Sequence, residues 1–401
     1  MTKRGAYPWA LLGLSLSLFG CSSSDQSSSE RGADLPTSNG ENSGIDLGAS
    51  TGTSNGTPSA SSSTDPSVPA ASGSATDTGT PSSAPSIGTG VPSTGTSTGA
   101  APLPQAGQLT AGAWDDNRNF DRFSQYRADL AQEQLAGVPP ITTDQYAAAH
   151  QTFSGQPGAK AELDVAFVLD TTGSMQDELS YLQSEFISIA KSIGDKYPDA
   201  DEHYALMLYR DHVDEYLTRT FDFTDDANAF EKNLAAQAAD GGGDIPEAPD
   251  VALTQAESLS WRTDPGTARL MFWVADAPHH TQDAGTMRDA FLALQAKDIH
   301  VYPVAASGTD ELLEVTMRSA AQLTGGRYLF LTNDSGIGND HKEPTIPCYF
   351  VTTFDKAMLR MVDIEMTGVY REPDPAEIIR TGGNPMDGAC QLDSGETVLV
   401  F

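Results

Sequence analysis

The stretch Val165-Ala-Phe-Val-Leu169-Asp170-Thr-Thr172-Gly-Ser174-Met175 decides the fold. Five apolar residues without interruption read as a strand buried on both faces, the pattern of a parallel sheet with helices on either side. The run then breaks into short oxygen-bearing side chains and a glycine, which suit a tight turn. A helix is expected next, over residues 176–193, with Leu179, Leu182, Phe186, Ile189 and Ile193 on one stripe.

Outward from this stretch the same alternation continues. Strands are expected at 204–209, 216–223, 269–274, 299–304 and 327–331, and helices at 227–239, 248–259, 284–296, 311–323 and 351–361. Strands alternating with helices predict an α/β, Rossmann-like domain whose central, mostly parallel sheet is flanked by helices. In such sheets ligands bind beyond the carboxyl ends of the strands. Three segments fall at that edge: Asp170-x-Thr172-x-Ser174, the glycine loop Asp240-Gly-Gly-Gly-Asp244-Ile-Pro-Glu247, and Asp276-Ala-Pro-His279-His280 after an apolar strand.

The three together resemble the metal-ion-dependent adhesion site of von Willebrand factor type A domains, over residues 162–365. The resemblance implies that Thr172 and Ser174 coordinate a divalent ion directly. Asp170 and Asp276 would contribute charge directly or through water, and the glycine loop one further ligand. Asp244 stands where many such domains carry threonine, in a Gly-Gly-Gly-Asp-x-Pro-Glu segment similar to a subset of the family, as are Tyr209-Arg-Asp211 and Phe221-Asp-Phe-Thr224. Before Pro246, Asp244 reads either as that ligand, as a helix N-cap, or as both. Short oxygen-bearing side chains suit Mg²⁺, Mn²⁺ or Ca²⁺. A third carboxylate would leave the loaded site at a net charge of about -1, which weakens capture of a partner's carboxylate.

His279 and His280 are adjacent, so both cannot easily face one ion, and they are read as rim residues. The oxygen-rich run from Asn333 to Asp340 lacks the spacing of a calcium-binding helix-loop-helix and reads as a turn.

The amino terminus sets the compartment. Lys3 and Arg4 precede an apolar stretch, residues 9–19, of about a dozen residues, which is too short to span a bilayer of ~20 apolar residues and fits a signal-peptide core. Leu18-Phe-Gly20-Cys21 followed by serines resembles the lipobox of bacterial lipoproteins, though Phe19 departs from the usual small or aliphatic residue. That resemblance implies cleavage after residue 20, acylation of Cys21 and a lipid-anchored place in the cell envelope, at the outer membrane or cell surface. Residues 22–107 are rich in Ser, Thr, Gly, Pro and Ala, too poor in large apolar groups to offset ordering entropy. A coil of this length has an end-to-end distance on the order of 50 Å. Residues 108–160 read as a transition segment in which Trp114, Phe120 and Phe123 could dock a short helix, and residues 366–401 as a C-terminal extension.

With Cys21 lipidated, Cys348 and Cys390 remain to pair as a disulfide in an oxidising compartment. The net charge of -32 argues against nucleic acid as a partner. Beyond the Ser/Gly-rich residues 22–107 no Gly-x-Ser-x-Gly elbow occurs, and the sequence has no His-Glu-x-x-His helix or phosphate loop, so a binding module rather than an enzyme is expected, with a protein partner at the metal-site edge. A scaffold subunit of an envelope complex and, further off, a metal-assisted hydrolase are the alternatives.

Overall fold

The computed structural model describes residues 103–243 and 245–400. Asp244, Cys21 and the whole signal and linker up to residue 102 therefore lie outside the described residues. In chain order the elements are β1 (Thr110–Trp114), α1 (Phe120–Glu133), α2 (Thr143–Phe153), β2 (Glu162–Asp170), α3 (Gln176–Lys196), β3 (Asp201–Tyr209) and β4 (Thr218–Thr224). There follow α4 (Ala227–Ala235), α5 (Pro249–Ala256), β5 (Thr267–Ala275), α6 (Ala284–Ala296), β6 (His300–Ala305), α7 (Glu311–Thr324) and β7 (Tyr328–Leu331). The chain closes with β8 (Tyr349–Thr353), α8 (Phe354–Thr367), β9 (Arg380–Gly382), β10 (Ala389–Gln391) and β11 (Thr397–Leu399).

Nine strands form one sheet in the order β4-β3-β2-β5-β6-β7-β1-β8-β9, and β10 and β11 form a separate ribbon. The centre, β3-β2-β5-β6-β7, is parallel, while β4, β1 and β9 run against their neighbours. Along β2 the side chains alternate between two cores. Ala166 and Val168 face the layer of α1, α2, α5, α6 and α7, whereas Val165, Phe167 and Leu169 face α3, α4 and α8. Phe167 stands between Phe186 at 4.5 Å and Phe272 at 5.8 Å between ring centroids. Burying an aromatic of this size contributes roughly 1.5–3 kcal/mol. Tight spacing has a backbone cause as well: a Cβ at Gly326 would lie 1.8 Å from the Val301 carbonyl oxygen, so only glycine lets the start of β7 approach β6.

Three expectations are corrected. Within residues 109–123 the expected docking helix is present only from Phe120 on, where α1 buries Phe123 in the core, whereas Thr110–Trp114 form β1, which inserts between β7 and β8. The helix expected over 351–361 starts at Phe354, because Val351, Thr352 and Thr353 pair with β1. The helix expected over 227–239 stops at Ala235. The sheet therefore draws on residues both before and after 162–365. The chain enters at residues 104–109, where the buried Glu185 carboxylate accepts the backbone N–H groups of Gly107 at 2.9 Å and Leu109 at 3.2 Å. A third cluster, Trp114, Phe350, Val398 and Val400, surrounds the disulfide between Cys348 and Cys390. Among the described residues no helix is long and apolar enough to cross a membrane.

Candidate metal centre

The central strand β2 pairs with β3 on one side and β5 on the other, so consecutive connections diverge from its carboxyl end. That crevice is where an open α/β sheet offers a ligand site. The register puts Asp170 level with Tyr209, and Leu169 level with Val274, so the three strands end together. Asp170 closes β2, Asp211 follows β3 by two residues, and Asp276 follows β5 directly.

Asp170 is fully buried, and its Oδ1 accepts the Thr172 backbone N–H at 2.9 Å and the Thr172 hydroxyl at 2.7 Å. The Thr172 and Ser174 hydroxyls lie 3.2 Å apart, with Thr172 buried and Ser174 exposed, so the site opens at Ser174. Oδ2 of Asp170 and Oδ1 of Asp276 are buried without a hydrogen-bond partner. Burial first, and then the charge of Asp276, hold the Asp170 carboxyl well above the ordinary carboxylate range, against the hydrogen bonds from Thr172. Asp276 is raised by burial, with the charge of Glu178 adding to it and the Ser174 hydroxyl opposing.

The glycine loop closes over this turn. Thr171 O accepts the Asp240 N–H at 3.1 Å, and Gly241 O accepts the Gly173 N–H at 3.1 Å. Gly242 has φ +63°, and a Cβ there would meet Thr172 Cβ at 2.8 Å and Glu247 Oε1 at 3.0 Å. Glycine is thus required both for the left-handed backbone and for the close approach. Past the loop, Glu247 donates its N–H to Pro278 O at 2.9 Å and bridges to His279, which brings its side chain beside the two aspartates. Glu247 is 1 % exposed, and its Oε2 has no partner. Burial, followed by the charges of Asp170, Asp211, Asp214 and Asp276, pushes its carboxyl up to about 9.

Asp170, Thr172, Ser174 and Asp276 are therefore assembled at one edge, and Glu247 joins them as a third carboxylate. Sequence reasoning passed over Glu247 because an acid just before a helix is usually solvated. The signal that could have found it was its place at the end of the glycine-loop segment, directly before Ala248 and Pro249. The cap role considered for Asp244 does not hold, because α5 begins at Pro249 with Ala248 in the cap position. Asp244 itself lies outside the described residues. His279 is likewise not a rim residue: it is buried, and its Nε2 meets Gly137 O at 2.9 Å. His280 points elsewhere, with its Nε2 2.8 Å from Asp211 Oδ1. The run from Asn333 spends its oxygens locally, Asn333 Oδ1 accepting the His341 N–H and Asp334 pairing with Arg380.

Three partnerless buried carboxylate oxygens beside two hydroxyls form an oxygen-only donor set. Such a set suits a hard divalent cation of the Mg²⁺, Mn²⁺ or Ca²⁺ class, and bringing these oxygens together without one carries a charge penalty. The residues present fit the group that the motif implies.

Residues 164–335 match the family model of the von Willebrand factor A domain. The chain is similar to the alpha-protein kinase vwkA of Dictyostelium discoideum, 27% identical over 130 residues that cover 32% of this chain and 20% of the relative. It is also similar to a putative ariadne-like RING finger protein of Acanthamoeba polyphaga mimivirus, 29% identical over 43% of this chain and 18% of that protein. The chain thus spans about a fifth of the length of these curated relatives. With the parallel sheet, its divergent connections at β2 and the family match over residues 164–335, the chain is a protein that contains a von Willebrand factor A domain.

Proposed function

We infer that the protein is a divalent-cation-dependent protein-binding module carried at the cell envelope on a lipid-anchored tether. One observation carries the reading: the partnerless buried oxygens of Asp170, Asp276 and Glu247 beside the Thr172 and Ser174 hydroxyls. Mg²⁺, Mn²⁺ or Ca²⁺ would be held by these residues and would supply an exchangeable coordination position near Ser174, where the site is exposed. Three carboxylates leave the loaded site at about -1. Asp211, Asp214 and Asp240 add to the negative potential around it. The partner is therefore a protein that presents a basic side chain or a neutral oxygen, since a further carboxylate 4 Å away would be opposed by ~4 kcal/mol at an effective dielectric of 20.

Docking of a protein is further supported by exposed apolar side chains. Val213 is 87% exposed and Ile245 is 69% exposed, and they flank the site in the loop after β3 and in the glycine loop. Binding is preferred over catalysis because the hydrogen bonds of Thr172 and Ser174 run to Asp170 and to each other, without an imidazole to act as base. A scaffold role in an envelope complex is compatible with the same chemistry. The anchor rests on Cys21 and the polar linker in the sequence.

The test is cross-linking in cells with identification of captured partners, in Mg²⁺ and after chelation, for wild type and Asp170→Ala. Capture that needs both the cation and Asp170 supports the module. Capture indifferent to both refutes a metal-dependent surface.

A further inference from the structure

Two imidazoles and a carboxylate meet beside the carboxylate site, and none of them is used by it. Asp211 and His212 lie in the loop after β3, and His280 lies in the turn after Asp276. The ligand atoms of the three all fall within 4.8 Å of one another. Asp211 is 6% exposed, and its Oδ1 orients the His280 ring through the 2.8 Å contact to Nε2. The His212 ring, exposed, stands 5.7 Å from that of His280 between centroids. The difficulty with adjacent histidines does not arise, because the two rings come from different loops. His279 is turned away to Gly137.

A second observation points the same way. Asp250, in the first turn of α5, is 4% exposed, and its Oδ1 is buried without a hydrogen-bond partner. Its electrostatic neighbours are Asp283 and His212. An unpaired buried carboxylate costs several kcal/mol unless a positive charge lies nearby.

We propose that Asp211, His212 and His280 form a second metal site, of the zinc class, with the buried Asp250 carboxylate supplying negative charge behind it. Imidazole nitrogens with one carboxylate select zinc and its borderline-soft neighbours over Mg²⁺ or Ca²⁺. Zinc–nitrogen bonds of about 2.0–2.1 Å in a tetrahedron place ligand atoms roughly 3.3 Å apart. The Asp211 and His280 atoms are already closer than that. His212, being exposed, can swing in by a rotamer change. Three protein ligands leave the fourth position open at the partner-facing edge. This inference is independent of the carboxylate site, because it uses other residues and another metal.

The experiment is calorimetric titration of Zn²⁺ into the untagged full chain, freed of metal and held in excess Mg²⁺. Wild type and Asp170→Ala should each take up one equivalent, and His212→Ala and His280→Ala should bind at least tenfold more weakly. In wild type, Co²⁺ should give the visible absorption of a four-coordinate ion, lost in His212→Ala. His212 is exposed, so that variant reports on ligation without disturbing the fold. No zinc uptake by wild type, or unchanged affinity in His212→Ala, overturns the proposal. So does zinc binding lost in Asp170→Ala but kept in His212→Ala, which would place the ion among the carboxylates.

Discussion

Arg318 of α7 clasps Asp116, just past β1, in a two-pronged ion pair, with Nε 3.0 Å from Oδ2 and Nη2 2.8 Å from Oδ1, both side chains at most 2% exposed. Arg318 also donates to Glu314 at 3.1 Å and lies 4.3 Å over the Tyr126 ring. The segment before β2 is thus locked to the far side of the sheet by charge as well as by strand pairing. Arg318→Met alone should destabilise the protein by roughly 3–5 kcal/mol, because it leaves Asp116 buried and uncompensated. Arg318→Met with Asp116→Leu should recover much of that loss. Urea unfolding of both checks this, and a single variant as stable as wild type would show that β1 holds without the pair.

The central strands were legible because they carry unbroken apolar runs, as at residues 165–169 and 270–274. The strand β1 was not. Thr110-Ala-Gly-Ala-Trp114 is too rich in small residues to read as a strand, and its smallness is what the packing requires: a Cβ on Gly112 would fall 2.2 Å from the Phe330 ring. The β8 strand was absorbed into the following helix because no Gly or Pro separates Tyr349-Phe-Val351 from α8. In the site, residues tied to a motif were found, and Glu247 was missed because only the tertiary pairing with Pro278 carries it inward.

The disulfide between Cys348 and Cys390 closes a loop of 42 residues and joins β8 to the β10–β11 ribbon. Reduction should cost roughly 3–4 kcal/mol by the chain-entropy account. Cys390→Ser should loosen the ribbon first, exposing Val398 and Val400 while the parallel centre stays intact. Hydrogen exchange of the C-terminal segment, with thiol counting on unreduced protein, measures both. Two free thiols in the unreduced protein would contradict the pairing.

His300, at the start of β6, contacts Glu365 at 2.9 Å and Asp298 at 3.4 Å. Burial works against its charge, but the charge of Glu365 and the hydrogen bonds that the ring donates to both acids prevail and push it up to about 9. A histidine raised in the folded state contributes stability that is complete below about pH 6.5 and is lost as pH rises through about 9. The melting temperature should therefore fall between about pH 7 and 9.5, with a loss on the order of 2–3 kcal/mol. His300→Gln should lower stability at pH 6 and remove its share of that slope, to which the raised Glu247 carboxyl also contributes. An unchanged slope in the variant would assign the pH dependence to other groups.

The proposed anchor rests on Cys21, which no further apolar stretch follows before residue 103. Cys21→Ser should move the protein from the membrane fraction to the soluble one. Acyl chains contribute ~0.8 kcal/mol per buried CH₂, so several chains hold the wild type effectively for its lifetime. Equal partition of both proteins would remove the lipid anchor from the proposed function.

The carboxylate site separates into three variants with different expected outcomes. Wild type should gain melting temperature with increasing Mg²⁺, Mn²⁺ or Ca²⁺, because an ion that prefers the folded state stabilises it by mass action. Asp170→Ala should abolish that shift, since it removes both the carboxylate and the hydrogen bonds that set Thr172. Glu247→Gln keeps the shape but removes the carboxyl that would lose its proton to hold an ion beside Asp170 and Asp276. The metal-free protein should become no less stable, while ion affinity drops about tenfold, equal to 1.4 kcal/mol. Asp244→Thr tests whether the glycine loop adds a fourth carboxylate. If it does, ion affinity falls and tolerance for an acidic ligand rises, as the loaded site moves toward neutrality. If affinity is unchanged by Asp244→Thr but reduced by Glu247→Gln, then Glu247 is the third carboxylate and Asp244 stands outside the site. Indifference of the wild type itself to all three divalent ions would mean that the buried oxygens are kept protonated instead, and the metal-dependent reading would fall.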